Sequence, residues 1–310
     1  MANLYVFHQG QNNEGYLWFS AFDGTHWSTD YAITNAKGAG WVGMTAAPSA
    51  FVGDGSIFVF HQGYAENGQL WYTYTGDLLS WERDTQVQNV GMSGSPSVVF
   101  YKRSTGYGFT YVFHQGGGNN GQLWYTVFDA NGWEPDTQIQ NLRMSNSPSA
   151  VAWAGGITVF HQGANDNGQL WYTYSPDGTH WGGDTYVPNV GLSGSPSAVV
   201  YNGKLYVFHQ GVQDSADLWY SIFDGTSWSG DRPVPNVGIA ESPRTPGSPS
   251  AVLWKGGISV FHQGLGFKVP GNILPPLGDQ HLWYTYSPDG ESWGQIRKFT
   301  TWKWIPHPRQ

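Results

Sequence analysis

The chain has no cysteine among its 310 residues. That removes disulfides, thiol nucleophiles and cysteine-bound metals, and it leaves the redox compartment open. Charge is scarce as well. Charged residues make up 12%, and 14 Lys and Arg stand against 22 Asp and Glu, for a net charge of −8. No basic run follows a phosphate backbone, so nucleic acid is excluded as an expected partner. No apolar stretch approaches the length that spans a bilayer, so no membrane insertion is expected. No amphipathic helical period of useful length is present. The opening Met1-Ala2-Asn3-Leu4 has neither a basic region nor an apolar core. The expectation is therefore no conventional signal peptide, and a protein that is cytoplasmic or secreted by a non-conventional route.

What abounds is glycine, 43 residues, and aromatic side chains, 16% of the chain, with 17 tryptophans. Many aromatics and turn formers with few charges describe short, densely turned strands. One phrase, Val-Phe-His-Gln-Gly, occurs six times, at 6–10, 59–63, 112–116, 159–163, 207–211 and 260–264. Its histidines are spaced by 53, 53, 47, 48 and 53 residues. A period of this size marks an array of supersecondary units, none of which buries its apolar face alone.

One unit is clearest over residues 195–238. A strand from Ser195 turns at Asn202-Gly203 into a second, which carries the His-Gln-Gly phrase. A polar loop leads to a third strand with Leu218-Trp219-Tyr220. Asp224-Gly225 turns into a fourth that runs from Trp228 to Val234. Four short antiparallel strands per unit predict an all-β fold, a six-bladed β-propeller of four-stranded antiparallel blades forming a single domain over 1–310. The Ser/Ala-Pro-Ser strand occurs five times, and the chain opens on a second strand. The C-terminal segment 300–305 is expected to supply the missing inner strand of the N-terminal blade and close the ring. The longest irregularity is the loop 265–280.

Alternating strand direction gathers His-Gln-Gly, the approach to Leu-Trp-Tyr, Asn-Val-Gly and Ser-Pro-Ser at one end of the blades. The Asp-Gly and Asn-Gly turns fall at the other. The pattern of His-Gln-Gly, Gly-Gln-Leu-Trp-Tyr, Asp-Gly-x-x-Trp and Ser-Pro-Ser-Ala-Val resembles the bladed bacterial lectins of the Photorhabdus type across nearly the whole chain. That resemblance implies a propeller that binds fucose and related sugars, O-methylated ones included, in clefts between blades. The family mostly has seven blades, where six repeats are present here. The Arg-Glu-Trp sites of six-bladed fungal fucose lectins are not repeated in this chain.

A pyranose, with its apolar C–H face and rim of hydroxyls, needs an aromatic platform beside fixed donors and acceptors. Trp71 with His61, Gln62, Asn89 and Ser95 is such a set. The other repeats supply His8, Gln9 and Trp18; His114, Gln115, Trp124, Asn141 and Ser147; His161, Gln162, Trp171, Asn189 and Ser195; and His209, Gln210, Trp219 and Asn236. Each type also has a purely architectural reading. The Trp of Leu-Trp-Tyr also fits packing between blades, and the His also fits bonding of backbone at a strand end. The second Trp of each repeat, with the Asp three residues on, is expected to tie the outer strand down. No two repeated histidines are close in sequence, so no metal is expected, and no cofactor. The expected activity is multivalent glycan binding without catalysis; a homo-oligomer is left open. The alternatives are a glycan-active enzyme centred on loop 265–280 with Lys268, Asp279 and His281, and a protein-interaction scaffold.

Overall fold

The computed structural model describes residues 4–10, 14–35, 40–103, 106–212, 215, 217–239, 248–264 and 281–298. They form six antiparallel blades in chain order, two of them sharing one sheet, with tight turns between strands. The first has three strands, Leu4–Gln9, Leu17–Phe22 and Tyr31–Ala32, and lacks an inner strand among the described residues. Each later blade has inner, second, third and outer strands. In the fifth these are Ser193–Tyr201, Lys204–Gln210, Asp217–Phe223 and Arg232–Gly238. The outer strand thus begins four residues later than the sequence suggests. Trp228 makes only an isolated bridge to Phe223. The outer strand of blade two and the inner strand of blade three are a single strand, Thr85–Lys102. The proposed closing segment 300–305 and the loop 265–280 lie outside the described residues.

The second Trp of each repeat holds the ring together. It leaves its own blade and meets the motif Phe of the blade before, edge to face. The six pairs are Trp81–Phe7, Trp133–Phe60, Trp181–Phe113, Trp228–Phe160, Trp293–Phe208 and Trp27–Phe261. Their ring centroids are 5.4–6.0 Å apart and their planes 82–90° apart, a favoured arrangement for aromatic pairs. The last pair joins blade one to blade six, so the ring closes in space. This corrects the expectation that the second Trp secures its own outer strand.

The Ser-Pro-Ser phrase works nearer the axis. Between blades three and four, the Ser95 N–H donates to Ser147 Oγ (2.8 Å) and the Ala150 N–H to Ser97 Oγ (2.8 Å). The same exchange links blades two and three through Ser95 and Ser49, and blades four and five through Ser195 and Ser149. The inner strands of blades two to five bulge just before the phrase, at Ala46, Gly94, Asn146 and Gly194, all with φ of 62–75°. The bulge turns the first Ser towards the neighbouring blade.

Two stability outcomes follow. Trp181→Ala removes an inter-blade wedge and is expected to cost about 3–5 kcal/mol. Ser149→Ala strands the Ala198 N–H and is expected to cost about 1–3 kcal/mol. Denaturant midpoints measured against the parent protein check both.

Candidate functional site

Between blades two and three lies a cleft of about 690 Å³. Blade two contributes Tyr72, Thr85, Gln86, Gln88, Asn89 and Gly91. Blade three contributes Gly116, Gly117, Asn120, Trp124, Trp133, Glu134, Pro135 and Asp136. A volume of this order suits a small ligand. The aromatic wall is Trp124, half-buried on the third strand, directly opposite His114 on the second and Gln138 on the outer strand. Its Nε1 edge is buried. The glycine of His-Gln-Gly makes room for that edge, because a Cβ on Gly116 would run into Asn120 and Trp124 Nε1. Gly63 and Gly211 do the same for Trp71 and Trp219. The indole edge is fixed while part of the ring stays accessible, as a platform requires.

The sequence set Trp71, His61, Gln62, Asn89 and Ser95 is divided by the structure. Asn89 does not share a cleft with Trp71. It lines the cleft of Trp124, one blade further on. On the other side of blade two, Asn35 of blade one reaches across, and its Oδ1 accepts from the Asp84 N–H at 2.9 Å. Asn89, Asn141, Asn189 and Asn236 are exposed and left-handed, with φ of 58–60°. Asn tolerates that conformation better than most residues, so its repetition has a backbone cause as well.

His61, His114, His161 and His209 have no exposed surface. Each Nε2 lies 3.0–3.1 Å from Oδ1 of Asp84, Asp136, Asp184 or Asp231, and each Nδ1 lies 2.9–3.1 Å from the carbonyl of the next residue. His8, partly exposed, pairs with Asp30 in the same way. Gln62, Gln115, Gln162 and Gln210 are buried too; Gln62 and Gln162 donate to the carbonyls of Met92 and Leu192. Gln9 is half-buried. Ser95, Ser147 and Ser195 are engaged in the inter-blade bonds near the axis. Of the predicted set, Trp18, Trp71, Trp124, Trp171 and Trp219 keep accessible ring surface. Asn89 and Trp124 meet in one cleft.

Sequence reasoning missed Tyr72, Gln88, Asn120, Glu134 and Asp136 as cleft residues. Asp136 was readable: an Asp stands three residues after the second Trp in five repeats. Asn120 was readable in Asn-Gly-Gln-Leu-Trp. Its Oδ1 accepts from the Gln122 N–H at 2.9 Å, and Asn67 and Asn167 repeat the turn.

The repeats differ in the outer-strand residue paired with the Trp of Leu-Trp-Tyr. It is Ala32 beside Trp18, Gln86 beside Trp71, Gln138 beside Trp124, Tyr186 beside Trp171, Pro233 beside Trp219 and Lys298 beside Trp283. Tyr186 lies 5.4 Å from Trp171, and Trp41 lies 5.7 Å from Trp18. Among the described residues no three His, Asp or Glu side chains gather as metal ligands, and no helix is long and apolar enough to cross a membrane.

The charges sort by position. Burial pulls the His8 imidazole down, but the hydrogen bond and charge of Asp30, the Gln9 carbonyl and Glu14 outweigh it, so His8 titrates above its ordinary value. At the opposite end of the blades, the Asp-Gly turns hold their carboxylates low. The Ser80 and Leu79 N–H groups bring Asp77 down to about 2. Asp177 and Asp289 fall lower still, under the N–H groups of His180 and Ser292 first. These are turn-forming carboxylates, away from the clefts.

No protein-family model matches the chain, and no curated protein sequence matches it. Solved structures do resemble it in fold. A mutant of the lectin from Aleuria aurantia in complex with α-methyl-L-fucoside superposes with a TM-score of 0.64 at 15% identity, over 98% of this chain and 93% of that one. A further structure of that lectin, described as a six-bladed β-propeller with a novel fucose recognition mode, gives 0.59 at 16%, over 97% and 93%. An α-L-arabinofuranosidase from Clostridium thermocellum gives 0.51 at 16%, over 82% and 94%. At these identities the likeness establishes the propeller fold alone.

The raised His8 value fixes a sign. Its contribution to stability is complete below the unfolded-state value of about 6.5 and is lost as pH rises through the higher folded-state value. The stability difference between the parent protein and His8→Gln is therefore expected to be largest near pH 5.5 and to shrink towards pH 9. Urea midpoints across that range check it.

Proposed function

We propose that this protein is a multivalent lectin that binds fucose or related monosaccharides, O-methylated ones included, in the clefts between its blades. The observation that carries this reading is the cleft between blades two and three. There a half-buried Trp124 faces the amides of Gln88 and Asn89 across the cleft, with the Asn120 amide and the Asp136 carboxylate on its own blade. An aromatic wall facing several fixed polar groups suits a pyranose, whose two surfaces differ in the same way. The Trp and its His-Gln-Gly support recur around the ring, and weak single sites gain strength when several engage one surface. The likeness in fold to a lectin solved with a fucoside agrees with this reading.

The second reading is a glycan-active enzyme, which the arabinofuranosidase likeness keeps in view. Hydrolysis of a glycoside needs a carboxylate pair in one asymmetric site. Here the repeated Asp is hydrogen-bonded to the motif imidazole in five repeats, which suits a recurring binding element better. The partners proposed are cell-surface or soluble glycans, with neither cofactor nor metal.

A glycan array read at low and high protein density, with free-monosaccharide competition, tests the proposal. The expected result is density-dependent binding inhibited by L-fucose or an O-methylated relative, with no sugar released. A blank array from folded protein would overturn it. Replacing Trp71, Trp124 and Trp171 together by Ala is expected to weaken surface binding on the order of a hundredfold, with the thermal transition retained.

A further inference from the structure

Both ring nitrogens of the buried histidines face oxygen. In blade three, His114 Nδ1 lies 3.1 Å from the Gln115 carbonyl and Nε2 lies 3.0 Å from Asp136 Oδ1. A carbonyl oxygen only accepts, so Nδ1 carries a hydrogen. An ionised carboxylate also only accepts. A neutral imidazole has one N–H, and would turn a lone pair onto one of these two oxygens. The ring has no exposed surface, so solvent does not relieve the conflict. A second proton between Nε2 and Oδ1 does. The other titratable groups on this cleft are Tyr72 from blade two and Glu134 beside Asp136, and no lysine or arginine lines it.

The carboxylate has a second oxygen. Oδ1 of Asp84, Asp136 and Asp184 takes the imidazole, while Oδ2 accepts no hydrogen bond from the described residues. Asp136 itself lines the cleft. In blade five the corresponding Oδ2 of Asp231 instead accepts from the Gly191 N–H across the blade junction, at 3.0 Å. The sixth repeat has Ile296 in this place.

We propose that the buried histidine of blades two, three and four is a positioning residue for the ligand. Protonated on both nitrogens, it pins one oxygen of its aspartate and leaves Oδ2 at the cleft as the acceptor for a sugar hydroxyl. This deepens the saccharide reading above and rests on it. It also sets the ligand class. A neutral sugar donates a hydroxyl hydrogen to Oδ2. A sialic acid, uronate or sulfated sugar would bring its own negative charge against Oδ2 and Glu134. The three Asp–His pairs so arranged belong to the blades whose approach loops share one 3₁₀ turn, Tyr64–Glu66, Gly117–Asn119 and Ala164–Asp166.

Two measurements decide it. An imidazole ¹⁵N spectrum of the intact protein near pH 7 is expected to show His61, His114 and His161 protonated on both nitrogens, assigned by single His→Gln variants. Neutral single tautomers at these positions would overturn the proposal. Titration with methyl α-L-fucoside is expected to show at least tenfold weaker binding when Asp84, Asp136 and Asp184 are all replaced by Asn, and no binding of 3′-sialyllactose by either protein. If the triple variant does not fold, Asp136→Asn alone is read through the Trp124 indole signal during the same titration. Equal fucoside binding by parent and variant overturns this proposal while sparing the lectin reading. A parent protein that binds no saccharide on the array overturns the lectin reading and the ligand role together, and leaves the protonated pair to the spectrum.

Discussion

An indole edge set into the aromatic face of the neighbouring blade is the contact on which the rest depends. It recurs at all six junctions, from Trp81 on Phe7 round to Trp27 on Phe261. A blade alone has two apolar faces and no means of covering either. The wedge covers one face with the next blade, and successive wedges bring the last blade back to the first. The motif phenylalanine is therefore placed for its neighbour, which explains why Val-Phe precedes every His-Gln-Gly. The polar residues that follow inherit a fixed position from it.

That position is the junction between blades, and the clefts are its by-product. Two sheets that touch through large aromatics near their middle splay apart towards the loops. The platform Trp lies on the same face of its sheet as the buried His, one pleat from the wedge. Asn89 and Gln88 come from the opposite wall. Recognition in such a cleft is a property of two blades at once, so each site is written in two distant parts of the chain.

This is where the sequence stopped being legible. The period, the strand order and the end of the blades that gathers polar groups could all be read from repetition and turn chemistry. The pairing of Asn89 with Trp124 could not, because spacing within a repeat says nothing about which blade faces which. The surroundings of His61, Ser95 and Gln62 were not legible for a different reason. A residue that repeats because it bonds its own architecture looks the same, as letters, as one that repeats because it touches a ligand. Only the surroundings separate them: the imidazole is enclosed, the serine hydroxyl accepts a backbone N–H of the preceding blade, and the indole keeps a surface. Asp136 was seen in the sequence and assigned to strand tethering, since its bond to His114 spans 22 residues and no local pattern announces it.

The unbroken strand Thr85–Lys102 gives the ring an uneven mechanics. Blades two and three form one eight-stranded sheet through it, whereas the strands at the other junctions are interrupted. Sliding these two blades past each other would require bending a single hydrogen-bonded ribbon, so their cleft has the least freedom to widen. The remaining junctions lack such a ribbon, those of blade one included, whose sheet has three strands among the described residues. Amide hydrogens along Thr85–Lys102 should be the slowest to exchange at any junction, and the cleft beside Trp124 should reshape least around whatever enters it.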